Sequence, residues 1–222
     1  MTEVIRVVAF GDAALRNALL SKATGGQYLD QGVADIVASS HPGYEIQLEF
    51  RDFSGLTQLR SDTPGEGADV VIVSTAPDVL GLDTRSADPA EAVVGLHDDL
   101  VAVVDKIKEA SGAHVLAVNA STFDPADETS SLHGLDEEPV SMRAHRLNLA
   151  LLRASHELGI SIIDVDRVTA EAGCGNVVPA ALELSAEGAA LVRDETVRVL
   201  GDYGFFDERS LVAQVGNRGG GK

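Results

Sequence analysis

Val4-Ile5-Arg6-Val7-Val8-Ala9-Phe10 runs straight into Gly11-Asp12-Ala13, and this junction decides the fold. A run rich in β-branched and aromatic side chains reads as a strand buried on both faces. A glycine and a helix-capping acid then turn the chain into the helical pattern Ala13–Lys22. The unit recurs. Further buried-strand runs lie at Tyr44–Phe50, Val70–Ser74, His114–Asn119 and Ile160–Asp164. Helical patterns separate them, at Gln31–Ser39, from Asp88 to about Ala110, at Ser141–Leu158, and from the cap Ser185 to about Leu200. The Asp88 helix has Pro89 at its first position and Glu91 placed for a capping box. Val93, Leu100, Val104 and Ile107 recur along it at helical spacing. Leu147, Leu151, Ala154 and Leu158 do the same in the next helix, and Gly159 stops it. Strands alternating with helices predict a five-stranded parallel sheet covered on both faces. With right-handed crossovers that is a three-layer α/β/α fold of flavodoxin-like kind.

In such a sheet, ligands bind beyond the carboxyl ends of the strands. Gly11–Ala13, Arg51–Gly55, Ser74–Asp78, Asn119–Phe123 and the Gly173–Glu183 loop therefore share one rim. Residues 121–139 are polar and acidic without periodicity, a long loop able to bring His133 to that rim. Residues 1–202 read as one domain. Residues 203–222, ending Arg218-Gly219-Gly220-Gly221-Lys222, read as a partly disordered tail.

The chain has 222 residues, a formal net charge of −18, 45% hydrophobic and 4% aromatic residues. Its core is thus built from Val, Leu, Ile and Ala. An acidic surface of this kind repels phosphate backbones and anionic leaflets, which argues against nucleic-acid and membrane partners. Cys174 is the single cysteine, so no intrachain disulfide forms and a reducing compartment suits the chain. No apolar stretch reaches the roughly 20 residues of a membrane span, and the first residues lack a signal-peptide pattern. The expected location is the cytoplasm.

Two blocks carry a resemblance. Gly11-Asp12-Ala13 after the first strand, and Pro179-Ala180-Ala181-Leu182-Glu183-Leu184-Ser185-Ala186-Glu187-Gly188 before the last helix, resemble blocks of the SGNH (GDSL-type) hydrolases. The first block of that family reads Gly-Asp-Ser, and its last reads Asp-x-x-His-Leu-Ser-x-x-Gly. Phe50–Gly55 is similar to the second block, with Gly55 at the oxyanion-hole glycine. Val71–Asp78 occupies the place of the third, with Pro77 at or beside the oxyanion-hole Asn. The resemblance implies an SGNH fold in which Ala13 stands at the nucleophile, Ala180 at the Asp and Glu183 at the His. Alanine cannot attack a carbonyl, and proline donates no hydrogen bond. A single Ser-to-Ala change would explain Ala13 alone, not Pro77, Ala180 and Glu183 together. Losing one oxyanion donor costs about 2.7–4 kcal/mol of transition-state stabilisation, and nucleophile and base are gone as well.

The remaining polar groups admit two readings each. Asp12 is a helix cap or a buried carboxylate facing a pocket. Glu183 is a solvated loop residue or the acid/base group and hydrogen-bond acceptor of a site. As a pair, Asp12 and Glu183 are the candidate catalytic carboxylates. Asp78 is a turn former or a rim acid. Ala13, Ser54, Gly55, Ser74, Thr75, Asp78, Asn119 and His133 are the candidate ligand-binding positions. No ligand spacing points to a metal, and no motif to a cofactor. Three functions stay open: a pseudo-hydrolase that binds a small molecule, a protein partner or a second copy; an acid/base enzyme using Asp12 and Glu183 for isomerisation, elimination or cyclisation; and an esterase or acyltransferase with a relocated nucleophile, Ser54 or Ser74 with His133.

Overall fold

A computed structural model describes residues 2–60, 65–79, 88–125 and 138–206. Five strands form one all-parallel sheet: β1 Glu3–Gly11, β2 Tyr44–Asp52, β3 Val70–Ser74, β4 His114–Val118 and β5 Ser161–Ile163, in the order β2-β1-β3-β4-β5. The helices are α1 Ala13–Leu19, α2 Val33–Ser40, α3 Leu56–Leu59, α4 Pro89–Ser111, α5 Val140–Leu158, α6 Val165–Glu171, α7 Cys174–Val177 and α8 Ala186–Asp202, with a helical turn at 76–79. This is the predicted three-layer α/β/α arrangement around a five-stranded parallel sheet.

Strand alternation builds two cores. Ile5, Val7, Ala9, Ile72, Leu116 and Ile163 point to the face covered by α1, α2, α6 and α8. Val8, Phe10, Val71, Val73, Val115 and Ala117 point to the face covered by α3, α4 and α5. Because the central strands are buried on both sides, they read in sequence as unbroken apolar runs. Each fully buried Val, Leu or Ile contributes about 1.5–3 kcal/mol relative to exposure.

The helix ends follow local chemistry. Asp88 accepts the Ala90 amide at 2.8 Å with Pro89 behind it, and Ser185 accepts the Gly188 amide at 3.2 Å. α1 stops at Leu19, short of the expected Lys22. Ser21 and Thr24 bond each other and the local backbone there, and Ser21 bridges to Leu29. Such side chains compete with a helix for backbone groups. Past α8, Phe206 stacks on His41 at 4.4 Å, and His114 meets Tyr203 and Phe205 at 5.2 Å. Residues 203–206 therefore pack against the amino end of the sheet, and 207–222 lie outside the described residues. Among the described residues no helix is long and apolar enough to cross a membrane.

Candidate functional site

The chain leaves β1 to one side for β2 and returns on the other for β3, so the crevice beyond β1 and β3 is the topological switch point of the sheet. Asp12 opens it. Its Oδ1 accepts the Leu15 amide at 3.0 Å, which makes it the cap of α1. Burial raises its carboxyl above the usual carboxylate value, although the amides of Leu15, Asp12 and Ala14 pull the other way. Ala13 is exposed at the first position of α1.

Beside β1, the chain turns at Gly55 with φ +144°, and a Cβ there would stand 3.0 Å from Oδ1 of Asp78. Only glycine fits that conformation without strain. Asp78 is buried, and both its oxygens lie 3.1 Å from the Leu56 amide, so it anchors the start of α3. Thr75 ties β3 to β4 through its amide and hydroxyl, both donating to the Val118 carbonyl at 3.0 and 2.9 Å. Ser74 is buried and its Oγ accepts the Ala76 amide at 3.2 Å. Ser54 is exposed, with both its amide and its hydroxyl donating to Oε1 of Gln58 at 3.1 Å.

Asn119 is the hub of a network that sequence reasoning missed. Its Nδ2 donates to Asp164 Oδ1 at 2.8 Å, and its Oδ1 accepts the Asp166 amide at 3.2 Å. Asp166 in turn accepts the amide and hydroxyl of Thr122 at 2.7 and 2.8 Å. The network locks the end of β4 to the start of α6, where Asp164 caps the helix by accepting the Arg167 amide at 3.0 Å. Asp164-Val165-Asp166 directly after a strand is the sequence signal that could have found it.

The last wall is the segment before α8. The Ser185 amide donates to the Val177 carbonyl at 2.9 Å, and a Cβ on Gly188 would come within 2.5 Å of that carbonyl. This close approach presses the turn against the rim. Glu183 donates its amide to Ala180 at 3.0 Å, and Leu182 takes φ +61°. Glu183 itself is exposed.

Together these elements form a cleft lined by Asp12, Ser74, Asn119, Ser121 and Glu183, with Leu15, Val118 and Leu182 among its apolar walls. The two candidate carboxylates thus share one cleft, but Ala13, Ser54, Gly55, Thr75 and Asp78 do not line it. His133 lies outside the described residues. The cavity volume is about 30 Å³, room for a water or two and far below the roughly 300 Å³ at which ligand pockets begin. Burial, rather than a second carboxylate, is what raises Asp12. Among the described residues no three His, Cys, Asp or Glu gather as a metal site would need.

No family model matches the sequence, and no curated protein matches it significantly. Solved structures do match the fold. A lipolytic G-D-S-L family member from Veillonella parvula aligns with a TM-score of 0.61 and 14% identity, over 89% of this chain and 98% of that one. An extracellular lipase from Streptomyces rimosus aligns at 0.56 and 15%, over 87% and 97%. A catalytic mutant of an acetylxylan esterase from Geobacillus stearothermophilus aligns at 0.66 and 11%, over 90% and 96%. The order of elements, the parallel sheet and the match over nearly the whole length give one conclusion: this chain has the α/β fold of the SGNH (GDSL-type) hydrolases.

Proposed function

We propose that this chain is a pseudo-hydrolase, an SGNH-fold protein that has lost serine-hydrolase chemistry and acts by binding a small molecule or a protein partner at its rim. The observation that carries this reading is the small volume of the cleft. At the switch point Asp12 is followed by Ala13, Glu183 lines the same cleft as Asp12, and the cavity there is about 30 Å³. An ester substrate finds little room there, and no serine at the position after Asp12. An occupant has to sit on the rim or displace the 182–184 turn.

A second reading is supported by one specific observation, the raised carboxyl of Asp12. A buried carboxyl pushed above its usual value by desolvation, in the same cleft as the side chain of Glu183, is a starting point for acid/base chemistry on a non-ester substrate.

Fluorophosphonate labelling and p-nitrophenyl acetate turnover test the first reading. The expected outcome is no label and background turnover, both for the parent and for Ala13→Ser. Restored serine still lacks a base to take its proton. Stoichiometric label on Ser54, Ser74 or Thr75 would overturn the proposal in favour of a relocated nucleophile. Once a ligand is in hand, Glu183→Gln separates the two readings. An acid/base enzyme loses about 10²–10⁴ in rate, whereas a binding protein loses affinity by about 0.5–3 kcal/mol.

A further inference from the structure

β2 lies at the edge of the sheet and runs nine residues in continuous register with β1, without a proline. The Glu3 amide donates to the Gly43 carbonyl and the Phe53 amide to the Gly11 carbonyl, so the odd-numbered residues of β2 turn their backbone toward β1. Ile46, Leu48 and Phe50 therefore turn theirs outward. Among the described residues no hydrogen bond reaches those outward groups. Such a row is a template for one more strand.

The chain itself arrives at this edge. After α8, residues 203–206 cross the amino end of the sheet from His114, at the start of β4, to Tyr44, at the start of β2. Phe206 stacks on His41 and meets the Tyr44 ring edge-on at 5.6 Å. Next in sequence come Asp207-Glu208-Arg209, then Ser210-Leu211-Val212-Ala213-Gln214-Val215, closed by Gly216-Asn217. Leu211, Ala213 and Val215 alternate with Ser210, Val212 and Gln214, and a turn pair ends the run, which is a strand pattern. Three extended residues span up to about 10 Å, and the next strand position lies about 4.8 Å away. Residues 207–209 therefore suffice as the connection.

We propose that residues 210–215 form a sixth strand, parallel to β2 on its outer side. Handedness agrees. The path from β5 through α8 travels over the same face and toward the same edge as the path from β1 through α1 and α2 to β2, so it takes the same right hand. Patterning agrees too. β2 places Ile46, Leu48 and Phe50 on the side under α2, and Glu45, Gln47 and Glu49 on the solvent side. Leu211, Ala213 and Val215 extend the first row, and Ser210, Val212 and Gln214 the second. Charge selects the occupant. Residues 209–222 carry Arg209, Arg218 and Lys222 and no acid, in a chain of net charge −18. A second copy would offer the same acidic strand instead, with Glu45, Glu49 and Asp52 against Arg51 alone.

This pairing makes the tail positions unequal. In β1, residues on the side under α1 and α2 bond toward β2, while Arg6 on the other side accepts from Asp69 at the start of β3. Carried to the new strand, the same alternation aims the amides of Ser210, Val212 and Gln214 at β2 and that of Ala213 away from it. Val212→Pro thus removes a ladder donor, and Ala213→Pro removes none. Amide-resolved hydrogen exchange on the 222-residue chain tests this. The Leu48 and Phe50 amides should exchange about tenfold faster in Val212→Pro than in the parent, the scale of one ladder bond at the upper end of its usual worth. In Ala213→Pro they should keep the parent's rate, and β3 and β4 should be unchanged in both variants. Equal exchange in the parent and Val212→Pro overturns the proposal, as does equal acceleration by the two prolines. Sedimentation velocity should give the same mass for the parent and Val212→Pro. A dimer that Val212→Pro dissociates overturns the proposal, because the strand then belongs to a second copy.

Discussion

Asp12 is asked to do two things that conflict. As the cap of α1 it must offer an oxygen to the Leu15 amide, and its place at the cleft wall takes that oxygen out of water. Desolvation outweighs the three amides, so its carboxyl titrates above the ordinary 3.8. The folded chain therefore holds this proton more tightly than the unfolded chain. Its contribution to stability is fully present below 3.8 and is lost as pH rises through the folded value. Asp12→Asn keeps a good cap and carries no charge to desolvate. Its melting temperature should exceed the parent's at about pH 7, with the difference closing as pH falls toward about 3.5. Asp12→Ala should instead lose about 0.5–2 kcal/mol, the usual worth of such a cap. Thermal melts of the three proteins across this range decide it. If Asp12→Asn melted lower than the parent at neutral pH, desolvation would not be the dominant effect at this carboxyl.

Between elements, a buried carboxylate does a comparable job with the opposite sign. Glu195 of α8 is buried, and Arg198 grips it at 2.8 Å through both Nε and Nη2, while Arg167 of α6 adds a third contact at 2.8 Å. The Arg198 hydrogen bonds lead in holding the Glu195 carboxyl below its ordinary 4.5, with Arg167 assisting against desolvation. Stability from this group is present above 4.5 and is lost as pH falls through the lower folded value. Glu195→Gln should cost about 1.5–3 kcal/mol in urea unfolding at neutral pH, the range for hydrogen bonds to charged groups. The cost should shrink in acid, and an equal cost at every pH would mean that packing rather than charge holds α6 to α8. These contacts were illegible in the sequence, because Arg167 and Glu195 are 28 positions apart and nothing local links them. The sheet and the long helices were legible because one periodicity and one cap define each of them, as at Asp88 and Ser185. α3, α6 and α7 were not, since four to seven residues carry too little periodicity to announce a helix. The same limit applies to the site. The rim followed from strand ends alone, and the placement of Asp12 at the turn followed from its capping chemistry. That Asn119 would spend both ends of its amide on Asp164 and Asp166, and that Leu182 would help close the cleft, are products of tertiary packing.

For the whole molecule the deciding quantity is the excess of acid, a formal charge of −18 on 222 residues. Like charges confined to a compact surface repel, and unfolding relieves them. Salt weakens that repulsion, but it also weakens the surface ion pairs. Among the described residues such surface pairs are open to solvent: Lys22 with Asp30 at 2.9 Å and Arg51 with Glu49 at 2.7 Å each have at least one partner more than half exposed. Such pairs are worth about 0–1 kcal/mol at most. Repulsion, by contrast, sums over every uncompensated carboxylate within a screening length. Raising ionic strength from about 0.01 to about 0.15 M shortens that length from about 30 to about 8 Å, from the span of the domain to the span of a neighbouring side chain. The melting temperature should therefore rise with sodium chloride over this range, and most of the gain should come by about 0.1 M, where the length is already about 10 Å. Calorimetry in a salt series checks the direction. A melting temperature that fell instead would mean that the ion pairs, with the Glu195 cluster foremost among them, outweigh the repulsion of the rest.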